Sequence, residues 1–163
     1  DYSVVHNGEI SSYDANRRYI EMFGYKCSLQ TDTEVIAYII DFLNRRNGFT
    51  MKEVAKIIAA PFWSTIAKKE GAEREEYEFL RKRFPSLLIT GPFSIMVGFE
   101  NGLMVLNDRL KLRSMVVGEK RDRVCIASEE CALREIFPDY DRIWYPKGGE
   151  AVVINVETGK GGK

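Results

Sequence analysis

The residues best suited to chemistry lie in two short segments, His6-Asn7-Gly8 and Thr31-Asp32-Thr33-Glu34. Asn7 offers a side-chain amide and Gly8 a backbone N–H. Two fixed donors of that kind suit the negative oxygen of a tetrahedral acyl-transfer intermediate, where losing one donor costs roughly 3–4 kcal/mol of transition-state stabilisation. Glycine at position 8 would also let the backbone approach a substrate in dihedrals closed to other residues. Taken alone, however, Asn-Gly after a β-prone run has a plainer reading as a tight turn.

Asp32 stands at the start of a predicted helix. Its carboxylate either complements the helix dipole or holds the α-ammonium group of an amino-acid substrate through charge-assisted hydrogen bonds. Free N–H groups at the same helix start would suit that substrate's α-carboxylate. Thr31 belongs by position to the same substrate-binding set, although with Glu34 it also has the spacing of a capping box. His6 is read as a hydrogen-bonding residue that orients the loop on the substrate side, not as a general base. As the single histidine of the chain it excludes a His-rich metal site and argues against an internal Ser-His or Cys-His triad.

Cys27, Cys125 and Cys131 have no metal-ligand spacing and no activating neighbours. They read as buried, inert, unbridged thiols of a reducing cytoplasm. Trp63 and Trp144 read as packing residues.

The elements that must position these residues follow from periodicity and punctuation. Residues 2–5 are β-prone and lead into Asn7-Gly8; Ser11 or Ser12 caps a helix to Phe23, which Gly24 stops. A buried helix follows Thr31 and ends near Arg45-Arg46-Asn47-Gly48. A second capping box at Thr50-Met51-Lys52-Glu53 opens a helix to Ala60. Residues 68–83, rich in Lys, Glu and Arg, read as a solvated helix. Asn101-Gly102 predicts a type I′ hairpin between strands 93–99 and 103–106, and strands 114–118 and 123–127 form a second hairpin. Ser128-Glu129-Glu130 caps a helix to about Phe137, 151–156 is a last strand, and the Gly/Lys-rich end is read as frayed. With 163 residues, no internal repeat and no linker, this is one α+β domain. Lys and Arg (24) balance Asp and Glu (24), so no net field draws the chain to nucleic acid or to an anionic membrane. No apolar run approaches the roughly 20 residues of a membrane span.

In order along the chain, these segments resemble the class II glutamine amidotransferases. His6-Asn7-Gly8, a helix ending at Gly24-Tyr25 and Thr31-Asp32-Thr33-Glu34-Val35 match that family's pattern. So do Gly91-Pro92-Phe93-Ser94-Ile95, Asn107-Asp108-Arg109 with Leu112-Arg113, Ala127-Ser128-Glu129, and the turn from Pro146 to Glu150. Ala60-Pro61-Phe62-Trp63 and the run from Leu106 to Arg113 look most like the glutaminase component of archaeal-type glutamate synthases. Asn107 stands where Arg or Lys is more usual, and Ser114 where Pro is common.

The resemblance implies an N-terminal-nucleophile (αββα) fold of two stacked antiparallel sheets between helical layers, with residues 1–163 as roughly its later two-thirds. It implies hydrolysis of L-glutamine to glutamate and ammonia, with Asn7 and Gly8 as oxyanion donors and Asp32 as the ammonium anchor. The family's nucleophile is a terminal cysteine upstream of such an oxyanion loop. The chain is therefore expected to be completed by an omitted segment or by a Cys-starting partner fragment; an inactive assembly or regulatory subunit is the alternative. A synthase subunit or domain would take the ammonia and, in the glutamate-synthase type, would carry FMN and iron–sulfur clusters. Neither cofactor nor any metal is expected in this chain.

Overall fold

The computed structural model describes residues 2–156; the Gly/Lys-rich end, expected to fray, lies outside them. Strand β1 (Ser3–Gly8) is followed by helices α1 (Tyr13–Glu21) and α2 (Asp32–Asp41), and α2 runs into a π-helical turn (Phe42–Arg46). Helices α3 (Met51–Ile58), α4 (Trp63–Ile66) and α5 (Gly71–Arg83) come next. The second half holds β2 (Phe93–Phe99), β3 (Gly102–Asn107), β4 (Val116–Lys120), β5 (Arg123–Ala127), α6 (Glu130–Ile136), β6 (Arg142–Trp144) and β7 (Val152–Asn155). The strands form two antiparallel sheets, ordered β1-β2-β3-β7 and β5-β4-β6. This is the α+β arrangement expected from the sequence. Among the described residues no helix is long and apolar enough to cross a membrane.

The core follows from alternation along the strands. Phe93, Ile95 and Val97 of β2 and Met104 and Leu106 of β3 point to one face of the larger sheet. There they pack against Ile20 of α1, Val35, Ile36, Ile39 and Ile40 of α2, and Val54 and Ile58 of α3. Each such side chain contributes about 1.5–3 kcal/mol of burial. Val105 is equally buried on the opposite face of β3, as are Met115, Val116 and Val117 at β4.

The helix ends differ from the sequence reading in instructive ways. At α3 the capping box is closed in both directions, Thr50 with Glu53. At α2 it is half closed. Thr31 accepts from Glu34 N at 3.3 Å, but the Glu34 carboxylate takes the N–H groups of Ser28 (2.9 Å) and Leu29 (2.8 Å), securing the preceding loop. Ser12 is the N-cap of α1 yet makes no capping bond. Its hydroxyl donates to Asn16 and accepts from Thr90 N, while buried Asn16 donates to Ser86 O and Leu88 O. Helix α1 is thereby bolted to the approach to β2. At α6 the N-cap is Glu129, within the Ser128-Glu129-Glu130 stretch expected to cap it, and its side chain makes no capping bond. Gly24, with φ +86°, does end the first helical segment.

The β2–β3 hairpin exists, but its turn is Glu100-Asn101, one residue earlier than predicted, because Phe99 pairs with Gly102. Neither turn residue has a positive φ, so the type I′ expectation fails. Gly102 answers a different need: a Cβ there would lie 2.3 Å from Ile154 O of the neighbouring β7. The second hairpin starts at Val116 and turns at Arg121-Asp122. Trp63 is 46% exposed and so is not a core residue. Helix α4 and strand β6 are short elements not foreseen from periodicity.

Between the two sheets the chain is held by one buried carboxylate. Asp108 accepts from the backbone N–H groups of Leu110 (2.9 Å), Leu112 (2.9 Å), Arg113 (3.3 Å) and Phe93 (3.4 Å). Removing it strands several donors at once, each costing about 1–3 kcal/mol where water cannot reach. Asp108→Ala is expected to lower unfolding free energy by on the order of 3 kcal/mol or more, and Asp108→Asn by less. Urea denaturation measures both, and equal stability in all three proteins would show that the carboxylate holds nothing.

Candidate active site

Strand β1 carries the first segment, and its alternation separates the residues. His6 faces the helices, with its side chain 2% exposed, whereas Asn7 is exposed on the opposite face. Asn7 and Gly8 do not form the tight turn that their sequence suggests: both remain in the strand, paired with Ser94 and Phe93. Glu9 N donates to Pro92 O at 3.0 Å, which fixes the parity of the ladder and makes Gly8–Phe93 a non-hydrogen-bonded pair. Consistently, Phe93 directs its own N–H and C=O to Asp108. The Gly8 N–H therefore faces away from β2, toward the edge of a strand that has no second neighbour among the described residues.

Glycine is required at this position for space as well as conformation. Gly8 has φ +144°, and a Cβ on it would lie 2.0 Å from Pro92 O. Across the contact Gly91 has φ +110°, and its Cβ would lie 2.5 Å from Glu9 O. The two backbones touch, and the chain then leaves the sheet with Ser11 N donating to Thr90 O at 2.8 Å.

That exit brings the loop onto the start of α2. Asp32 Oδ1 lies 3.2 Å from His6 Nδ1, and Oδ2 accepts from Ile10 N at 3.4 Å. Thr33 Oγ1 lies 3.4 Å from both His6 Nδ1 and Asp32 Oδ1. A His6 ring protonated at Nδ1 donates to the carboxylate, while its Nε2 is buried without a partner among the described residues. Asp32 keeps 24% of its side chain exposed. It lines an open cleft of about 440 Å³ with Gly8, Glu9, Ile10, Tyr13, Gln30 and Thr31, within the usual ligand-site range of roughly 300–1,000 Å³.

Of the residues singled out by sequence, the structure gathers Gly8, Thr31 and Asp32 on this cleft, with His6 directly behind Asp32. The side chain of Asn7 does not line it; it lies exposed on the same edge strand to which the Gly8 N–H points. Tyr13 and Gln30 were not legible as site residues. Gln30 enters through a left-handed backbone (φ +55°) that no residue type announced, and Tyr13 brings a buried hydroxyl with no hydrogen-bond partner among the described residues. A ring in the first turn after Ser12 was the only available signal.

None of the three cysteines lines the cleft. Cys27 is buried, and that burial, followed by the charges of Glu21 and Glu34, pushes its thiol above the ordinary range. Cys125 is half-buried and Cys131 exposed, so the expectation of buried thiols holds for Cys27 alone. Among the described residues no group of three or more His, Cys, Asp or Glu side chains is arranged to hold a metal ion.

No family model matches the chain. It is 46% identical over 158 residues to an uncharacterized protein of Archaeoglobus fulgidus, covering 97% of this chain and 42% of that one. It is 29% identical over 157 residues to a protein of Methanothermobacter thermautotrophicus provisionally described as a glutamine amidotransferase, covering 96% of this chain and 42% of the relative. Among solved structures it matches glutamine phosphoribosylpyrophosphate amidotransferase of B. subtilis with a TM-score of 0.58 at 19% identity, over 94% of this chain and 27% of that one. The chain thus spans less than half the length of these proteins. The relatives and structural neighbours that carry a functional name are class II glutamine amidotransferases, and the fold is their N-terminal-nucleophile fold.

The Gly8–Pro92 contact makes a direct prediction. Gly8→Ala is expected to lower stability by roughly 1–3 kcal/mol or more, because a strained backbone and a backbone clash coincide. Gly98→Ala in the same sheet, where the nearest atom to a new Cβ is 3.7 Å away, is expected to be tolerated. Thermal melts of the two variants decide, and equal melting temperatures would remove the close approach as a constraint.

Proposed function

We propose that this chain supplies the glutamine-anchoring and oxyanion-stabilising part of a class II amidotransferase domain, which hydrolyses L-glutamine to glutamate and ammonia. The observation that carries the reading is the placement of Gly8 and Asp32 on one open cleft, with the carboxylate oriented by His6 and the Ile10 N–H. A carboxylate fixed on one side and exposed on the other suits an α-ammonium group, which it meets through charge-assisted hydrogen bonds. In the proposed reaction a cysteine thiolate attacks the side-chain amide carbon of glutamine. The tetrahedral oxyanion collapses to a thioester as the nitrogen, protonated by the group that deprotonated the thiol, leaves as ammonia; water then cleaves the thioester to glutamate and the free thiol. The Gly8 N–H, turned from the ladder, and the amide of Asn7, its neighbour on the same edge strand, are the donors assigned to that oxyanion.

Because no cysteine of this chain lines the cleft, we assign the thiol to residues outside these 163, either in the same polypeptide or in a partner fragment. The domain would then comprise more than this chain. The ammonia passes to a synthase subunit or domain. Ala60-Pro61-Phe62-Trp63 and the segment from Leu106 to Arg113 favour a glutamate synthase, whose synthase part would hold FMN and iron–sulfur clusters. The three unbridged cysteines fit a cytoplasmic setting.

Two substitutions in the complete protein test the assignments separately. Asp32→Ala is expected to raise the KM for glutamine on the order of tenfold or more while leaving synthesis from free ammonia intact, as removal of a ground-state anchor should. Unchanged glutamine saturation would remove Asp32 from substrate binding. Asn7→Ala is expected to depress kcat by about 10²–10³ with little change in KM; an unaltered turnover number would take Asn7 out of the oxyanion site.

A further inference from the structure

The short stretch Ala60-Pro61-Phe62-Trp63, at the opening of α4, collects two arginines that the glutamine cleft does not use. Arg109 Cζ lies 4.0 Å from the centre of the Phe62 ring, and Arg81 Cζ lies 4.9 Å from the Trp63 ring. Arg109 Nη1 approaches Ala60 O at 3.5 Å; Arg81 Nη1 approaches Ala60 O at 3.4 Å and donates to Pro61 O. Among the described residues neither guanidinium has a carboxylate within ion-pair distance. Burial, and then the charge of Arg109, draws the Arg81 group below its ordinary value. Two half-buried like charges converge here on backbone carbonyls with no counter-charge among the described residues, an arrangement that an anion would complete.

The surroundings favour a macromolecular anion over a small one. The cavity beside Arg81 and Trp63 is about 170 Å³, room for a side chain and below the usual range of metabolite sites. Phe62 and Trp63 remain 40% and 46% exposed, and exposed aromatics beside arginine are the composition of protein-interface anchors. Stacked guanidinium groups also present their remaining N–H edges in the plane that a carboxylate binds in bidentate fashion.

We propose that Phe62, Trp63, Arg81 and Arg109 form the docking site for an acidic segment of the polypeptide that consumes the ammonia. The identity of that polypeptide rests on the amidotransferase reading; the acidic chemistry rests on the two uncompensated arginines. The chain spans only 42% of its two relatives, so in those proteins this domain has a large remainder to meet.

The test places a photo-reactive benzoylphenylalanine at position 62 of the complete protein, assembled with its partner chain if it has one, and maps cross-linked peptides by mass spectrometry. The expected result is a cross-link to an Asp- or Glu-rich segment outside the 163 residues. Its yield should fall on the order of tenfold or more with Arg109→Glu and, independently, with Arg81→Gln, as for loss of one partner of a buried charge pair. Thermal melts confirm that each variant is folded, so either one suffices if the other is not. A cross-link within the same face of a second copy, a yield indifferent to both substitutions, or no cross-link would each overturn the proposal. So would stabilisation by inorganic phosphate that depends on Arg109 in the absence of any cross-link, which would indicate a small-anion site. Glutamine hydrolysis measured on the same samples separates the two proposals. Retained hydrolysis with lost cross-linking touches only the docking surface, whereas cross-linking without hydrolysis under any condition sinks the reading of the cleft.

Discussion

The site depends on a backbone-to-backbone contact. Where Gly8 meets Pro92 and Gly91 meets Glu9, two strands approach more closely than side chains would permit, and each does so with a positive φ. Such a contact has little tolerance, because the atoms that would clash are peptide atoms and cannot rotate away. It fixes where β1 stops being a strand and the direction in which Glu9, Ile10 and Ser11 leave the sheet. Everything on the cleft's near wall inherits that geometry.

The far wall is set by electrostatics. Asp32 opens α2, where a carboxylate is already favoured by the helix dipole, and it is further held by His6 from inside the sheet and by Ile10 from the exiting loop. The carboxylate thus serves as a strap between β1 and α2 while one flank stays open to solvent. The two readings offered by sequence, dipole partner and ligand anchor, are compatible: a group that must be held still to bind a ligand is well placed where the fold already stabilises its charge.

Much of this architecture was legible in residue order. Turn residues, apolar runs and charge density gave both hairpins, the buried α2 and the solvated α5, because each rests on local pattern. What failed was chemistry decided by distant neighbours. Asn7-Gly8 and Asn101-Gly102 both read as turns, yet both glycines answer to close approach by another strand, which a single segment cannot reveal. The Glu34 carboxylate takes two N–H groups of the preceding loop instead of closing its capping box. Cys125 lies on β5 of the smaller sheet, half-buried, and Cys131 on α6, exposed, so apolar neighbours in sequence did not mean burial. Of the site, the motif residues were visible; Tyr13 and Gln30 were not, since their roles come from the path of the backbone.

Asp108 connects the backbone beside the cleft with the backbone beside the arginine face. One carboxylate oxygen takes the N–H of Phe93, the cross-strand partner of Gly8, and the same group holds the backbone of Leu110 and Leu112, the segment that begins at Arg109. One buried carboxylate thus touches both the strand partner of Gly8 and the loop that presents Arg109. Such a link is physical and contiguous, but transmission between sites requires an element with two arrangements. The geometry makes Asp108 an anchor that ties the backbone beside the Gly8 strand to the segment that begins at Arg109.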